Sequence, residues 1–192
     1  LSVGVRGAGA GGVSRWAPTD VVRGADHAAE QASVSSLRSE RPRDAIVAEE
    51  GAGVEGDRGL RWLGDPLDGT TNYLWGIPQW CVSVAARDDA GGVVAVVHDP
   101  LREETFRARR GGGAWLDGTR LAVRRETPLA EALVGTGFNY SHEERARQAD
   151  RLTALLPRVR DLRRFGAAAL DLAWVAAGRI DAYFESGLAP WD

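Results

Sequence analysis

The chain has no methionine, no lysine and only one cysteine. All 24 basic residues are arginine, which we read as genomic base bias rather than a functional signature. The lone Cys81 excludes an intrachain disulfide. It lies in the apolar run WCVSVAA at 80–86 and reads as a small buried hydrophobe, in keeping with a reducing compartment. No apolar run reaches the length of a membrane span. The opening residues, LSVGVRGAGAGGVS, lack the basic start and long apolar run of a secretory signal. A formal net charge of -3 gives no strong field for nucleic acid or an anionic membrane. The expectation is a cytoplasmic protein with no nucleic-acid and no membrane partner. The missing methionine, and the abrupt finish at Ala189-Pro190-Trp191-Asp192, predict a fragment cut at both ends.

What is present suffices for one large domain, or one domain and part of a second. The chain has 192 residues and 44% of them are hydrophobic, so a real core can form. Residues 1–14 are Gly/Ala-rich and read as loop. Ala28, Ala29, Ala32 and Leu37 predict a helix over about 25–40, stopped by Pro42. Ala45 to Ala48 reads as a short strand, residues 51–59 as a Gly-rich loop, and Leu60 to Gly64 as a second strand. Strand patterns then follow at 80–86, 91–100, 104–109 and 114–116, separated by turn signals such as Asp117-Gly118. Another short strand is expected at 133–135. Ser141 with Glu144 is a capping-box pattern opening a helix that Pro157 ends. A short strand at 159–162 follows. The run GAAALDLAWVAAG at 166–178 is apolar almost all round and predicts a buried helix closed by glycine. Ile180 to Phe184 predicts a last strand. The mixture indicates an α/β or α+β layered fold.

Acidic residues cluster at strand ends. Glu49 and Glu50 follow one strand; Asp65 follows another, and Asp68 comes three residues later. Carboxylate oxygens are hard ligands suited to magnesium, and a convergent anionic cluster is costly unless cations occupy it. Gly69 permits close backbone approach, and a helix beginning at Thr70 or Thr71 offers free N–H groups to a phosphate. Metal and phosphate sites side by side are what metal-assisted phosphoryl transfer to water requires. On spacing alone, two aspartates around a proline also fit an ordinary turn, and a Glu-Glu pair before glycines also fits a solvated loop.

Taken together, VAEEG at 47–51, WLGDPLDGTTNYLWGIPQW at 62–80 and GRIDAYFESGLAPWD at 178–192 resemble the inositol monophosphatase family. That family consists of magnesium-dependent, lithium-sensitive phosphomonoesterases. Its E-E, D-P-[I/L]-D-G-T-[T/S]-N and W-D elements occur here in the same order, and the resemblance covers about residues 15–192. It implies a layered α-β-α-β-α sandwich, truncated in its C-terminal domain, with an N-terminal unit over 1–157 and the beginning of a second over 158–192. It implies magnesium held by Glu49, Asp65, the Leu67 carbonyl, Asp68 and Asp192. Thr70, backed by Asp26, would orient the attacking water, with Glu50 supporting the ligand set. The N–H groups of Gly69 and Thr70, with Asp68, would hold the phosphate. Gly166, Ala167 and Glu185 would contact substrate hydroxyls. Arg15 stands where the family often has a lysine near the metal. The implied reaction is hydrolysis of inositol 1-phosphate by direct in-line attack of a metal-activated water. A complete chain would be a homodimer.

Arg23 replaces the family's usual threonine, Gly64 an aliphatic residue, and Ala167 a common serine or threonine. His27 and His142 read as surface residues at helix starts, and His98 as one before a turn. The seven tryptophans read mostly as core or packing anchors, with Trp191 bracing Asp192. Arg163-Arg164 reads as a solvated or ion-paired face. Beside the family's nucleotide bisphosphate members, which come behind, two rivals stay open. Histidinol-phosphate phosphatases of the same family often read D-G-T-K-N where this chain has Thr71. A non-catalytic binding protein is the other, since bacterial relatives can act in transcription complexes.

Overall fold

The computed structural model describes residues 18–49, 51, 53–57 and 59–192, without the side chains of 18–23, 25 and 26. The expected roles of Arg15 and Glu50, and those of the Arg23 and Asp26 side chains, lie outside the described residues.

Helix α1 (Pro18–Glu40) opens the described chain. It starts seven residues before the expected position because proline is tolerated in a first helical turn, where its missing N–H has no partner to lose. His27 therefore sits within the helix rather than at its start. A meander follows: β1 (Ala45–Ala48), β2 (Arg61–Asp68), β3 (Cys81–Asp88), β4 (Gly91–Asp99), β5 (Glu104–Arg109), β6 (Gly113–Leu116) and β7 (Thr119–Arg120). The strands form one seven-stranded sheet in chain order. The β1–β2 pair is parallel and every later pair antiparallel. Between β2 and β3 lies the five-residue helix α2 (Thr70–Leu74). The short β7 carried no alternating pattern by which to expect it.

A second, three-stranded parallel sheet follows, in the order β10-β8-β9. Its members are β8 (Leu133–Thr136), β9 (Asp161–Arg163) and β10 (Ala182–Phe184), with α3 (His142–Leu155) before β9 and α4 (Ala168–Ala176) before β10. Pro157, the expected boundary between units, lies between α3 and β9, so β8 pairs with strands beyond it. Ser141 Oγ accepts from the Glu144 N–H at 3.5 Å, the cap that the Ser141/Glu144 spacing predicts.

The main core forms where α4 lies on the large sheet. Cys81, Phe106, Ala167, Ala169 and Leu170 are buried together, with Val97, Leu116 and Trp174 packed around them. Full burial of Leu170 alone contributes roughly 1.5–3 kcal/mol. Only the first turn of α4, Ala168 to Asp171, is fully buried, and Leu172 is exposed. The helix is thus less enclosed than its composition suggests. Ala132, Val134 and Val159 make a smaller core under the second sheet. Trp75 is 70% exposed, so it is not a packing anchor. A groove of about 840 Å³ between α1 and the large sheet is lined by Ala32, Leu37, Leu67, Val84 and Val96, among others, and, among the described residues, by no aspartate.

Candidate metal centre

Strand β2 continues through Asp-Pro-Leu-Asp, where a turn was expected after Gly64. In a regular strand, residues three apart point to opposite faces. Here the pairing register with β3 shifts between Asp65 and Asp68. A bulge of this kind corrects the parity and tolerates Pro66, which has no N–H for the ladder. Both acids are buried, at 3% and 8% exposure. The Leu67 N–H donates to Asp65 Oδ1 at 2.9 Å, and the Thr70 hydroxyl donates to the Leu67 carbonyl at 3.0 Å.

Gly69 makes the joint between β2 and α2. Its φ of 97° is left-handed, and a Cβ there would meet the Gln79 carbonyl at 2.9 Å. Both conformation and space require glycine. Asn72 fastens the joint by donating to the Gln79 and Phe165 carbonyls, each at 2.7 Å.

Three segments converge on this point, two of them with a further carboxylate and the third with a helix N-terminus. Ala48 pairs with Gly64 in the parallel β1–β2 register, so Glu49 follows beside Asp65. The first turn of α4 faces Asp68, whose Oδ2 accepts from the Ala169 N–H at 2.7 Å. The helix N-terminus thereby offsets part of its charge. Asp192 closes a turn in which its Oδ2 accepts from the Ala189 N–H at 2.5 Å and its own N–H donates to the Ala189 carbonyl at 3.2 Å. One oxygen each of Asp65, Asp68 and Asp192 lies within 4.8 Å of the others.

The electrostatics test whether a cation fits. Burial, then the charges of Glu49, Asp68 and Asp192, push the Asp65 carboxyl well above the ordinary carboxylate range. Burial pushes Asp68 up to about 6, opposed by the α4 amides and reinforced by Asp192. Such a cluster is strained when fully ionised, and a hard divalent cation among its oxygens reverses every one of these repulsions. The donor set, all oxygen, suits such an ion.

The other expected substrate contacts lie on segments that reach this centre. Gly166 has φ 91° and its Cα faces Asn72 so closely that a Cβ would lie 2.9 Å from Nδ2. Ala167 is fully buried at the start of α4. The Glu185 carboxylate folds over Gly137, where a Cβ would overlap it, and accepts from the Tyr183 hydroxyl. Asp171 was not anticipated. It is 1% exposed and neither of its oxygens has a hydrogen-bond partner among the described residues. Its signal was the single acid in an otherwise apolar helix run. Asn72 was visible only as part of the motif, with no hint that it bridges two loops.

A profile of the inositol monophosphatase family matches residues 9–192. The Nus factor SuhB of Vibrio cholerae is 42% identical over 175 residues, covering 90% of this chain and 66% of that protein. The chain thus spans about two thirds of the length of such a curated relative. The crystal structure of extragenic suppressor protein SuhB from Bartonella henselae superposes with a TM-score of 0.83 at 38% identity, over 87% of this chain and 65% of that one. An inositol monophosphatase from Anabaena gives 0.81 at 37% identity, over 92% and 73%. By motif order, fold and sequence match, the chain belongs to the inositol monophosphatase family.

Proposed function

We propose that the complete protein is a magnesium-dependent phosphomonoesterase, with inositol 1-phosphate as its foremost substrate. The observation that supports this most is the convergence of Asp65, Asp68 and Asp192 within 4.8 Å, from segments up to 127 residues apart in a 192-residue chain. Glu49, Asp65, the Leu67 carbonyl, Asp68 and Asp192 would hold magnesium. When bound, the ion supplies positive charge and Lewis acidity beside the phosphoryl oxygens.

The chain's own groups do the rest. The Thr70 hydroxyl, which rests on the Leu67 carbonyl at 3.0 Å, turns its proton to Asp26 as its lone pair accepts from the attacking water. Asp26 takes up that water's proton through Thr70, and Glu50 supports the ligand carboxylates. The N–H groups of Gly69 and Thr70 hold the phosphoryl oxygens in line for attack. Gly166, Ala167 and Glu185 receive the hydroxyls of the leaving alcohol, with Tyr183 fixing the Glu185 carboxylate. The complete protein is proposed to be a cytoplasmic homodimer; among the described residues no helix is long and apolar enough to cross a membrane.

Phosphate release from inositol 1-phosphate and histidinol phosphate, with magnesium, tests the reading in the full-length protein. Asp65→Asn and Thr70→Ala are each expected to lower release from the preferred ester by roughly 100-fold or more. Unchanged release would refute the assignment. A second reading, a binding protein without turnover, draws on relatives that bear the name Nus factor SuhB. It would be favoured by a full-length protein that releases no phosphate from any monoester.

A further inference from the structure

Three carboxylates this close repel one another before any cation arrives, so something else must hold them in register. The structure gives each its own restraint. Asp65 accepts from the Leu67 N–H and Asp68 from the Ala169 N–H. Among the described residues, the Asp192 hydrogen bonds stay within its local turn with Ala189, and that turn follows β10 at the edge of the second sheet. What seats it is a residue of β3. Ser83 is 8% exposed and its Oγ donates to the Trp191 carbonyl at 3.3 Å, across 108 residues of sequence.

The placement of Ser83 follows from the pleat. Cys81 and Ser83 are two residues apart on β3 and share one face. Ser83 pairs with Asp65, and Cys81 with Asp68, in the β2–β3 register. These two residues of β3 therefore lie beside the stretch of β2 that carries the two aspartates. Cys81 uses its place to donate to Asp68 Oδ2 at 3.6 Å, a weak contact beside the α4 amide. Ser83 instead donates to the backbone next to Asp192.

We propose that Ser83 is a positioning residue that preassembles the cation site: its hydroxyl seats the Trp191–Asp192 turn against β3, so that the Asp192 carboxylate stands beside Asp65 and Asp68. The inference rests on reading that cluster as a cation site. The Ser83 hydroxyl touches neither cation nor substrate; it acts through the Trp191 carbonyl. Without it, binding a cation must also order the Asp192 turn, and the affinity falls by what that ordering requires.

The test is calorimetric titration of magnesium into the full-length protein without substrate, together with urea unfolding in chelator. Ser83→Ala is expected to weaken magnesium binding about five- to tenfold, the scale of one hydrogen bond. Ser83→Thr keeps the hydroxyl and is expected to restore binding to within about twofold. Val82→Ala, on the opposite face of β3, should lower chelator-state stability and leave magnesium affinity unchanged. The proposal is overturned if Ser83→Ala binds like the parent, if threonine does not rescue it, or if Val82→Ala weakens binding as much. A parent that binds magnesium but releases no phosphate ends the phosphatase reading and leaves the role of Ser83 intact. A parent that releases phosphate while Ser83→Ala binds magnesium normally ends the role of Ser83 alone.

Discussion

Asp171 is the residue whose surroundings least suit it. Its carboxyl is buried and unpartnered among the described residues. Burial, then the charge of Asp68, raises it to about 8, with Arg164 opposing and Glu185 adding to the rise. The sign of the pH effect follows. Below the ordinary value of 3.8, folded and unfolded chains both carry the proton, and Asp171 does not change stability. As pH rises from there towards 8, the unfolded chain has lost the proton and the folded chain keeps it, so stability falls. Asp171→Asn has the same shape and no charge. In chelator, it is expected to raise stability at pH 8 by about 1–2 kcal/mol and to flatten the decline between pH 4 and 8. Urea unfolding across that range measures both, and a loss of stability in the variant would show that the carboxylate has a charged partner. The sequence marked Asp171 only as one acid in an apolar helix. Its isolation is a property of three-dimensional neighbours, Asp68 and Glu185, that lie 103 residues before it and 14 after it in the numbering.

At the scale of elements, the strands were legible and the joints were not. Val93 to Val97 and Thr105 to Ala108 carry the β-branched and alternating pattern that a pleated surface selects, and β4 and β5 lie where that pattern places them. The Ser141 cap placed the start of α3 to the residue. By contrast, the second strand was expected to end at Gly64, yet β2 runs to Asp68 because a bulge absorbs Pro66, a residue without a ladder N–H. That bulge is what turns Asp65 and Asp68 to one side, so the motif's spacing is intelligible only once the register is known. Gly69 then sets the exit into α2. Gly69→Ala forces an L-residue into left-handed backbone and drives a Cβ to 2.9 Å from the Gln79 carbonyl. It is expected to lower stability by roughly 1–3 kcal/mol and to abolish detectable magnesium binding, read by urea unfolding and calorimetry. A variant that binds magnesium normally would show that the joint tolerates displacement.

Across the whole molecule, the centre lies where the large sheet, the start of α4 and the turn after β10 meet, so a cation there ties together segments far apart in sequence. The order of Glu49, Asp65, Asp68 and Asp192 could be read from motifs, but the meeting of Asp192 with Asp65 and Asp68 depends on β8, β9 and β10 forming a second sheet that returns the chain to β3. Magnesium should therefore stabilise the whole fold, by about 2.7 kcal/mol at 100 times its dissociation constant. The gain must depend on pH. Asp65 and Asp68 both hold protons more tightly in the metal-free fold than in the unfolded chain, so metal-free stability falls as pH rises above 3.8, and for Asp68 the fall is complete near pH 6. The cation binds the ionised carboxylates, so protons compete with it at low pH and release it from that competition at high pH. The midpoint difference between melts in magnesium and in chelator is thus expected to widen from pH 5 to pH 8. Asp65→Asn should shrink it at every pH, because one charged ligand is gone. A difference that stays constant across the range, or that survives Asp65→Asn undiminished, would mean that magnesium stabilises the protein from somewhere other than this cluster.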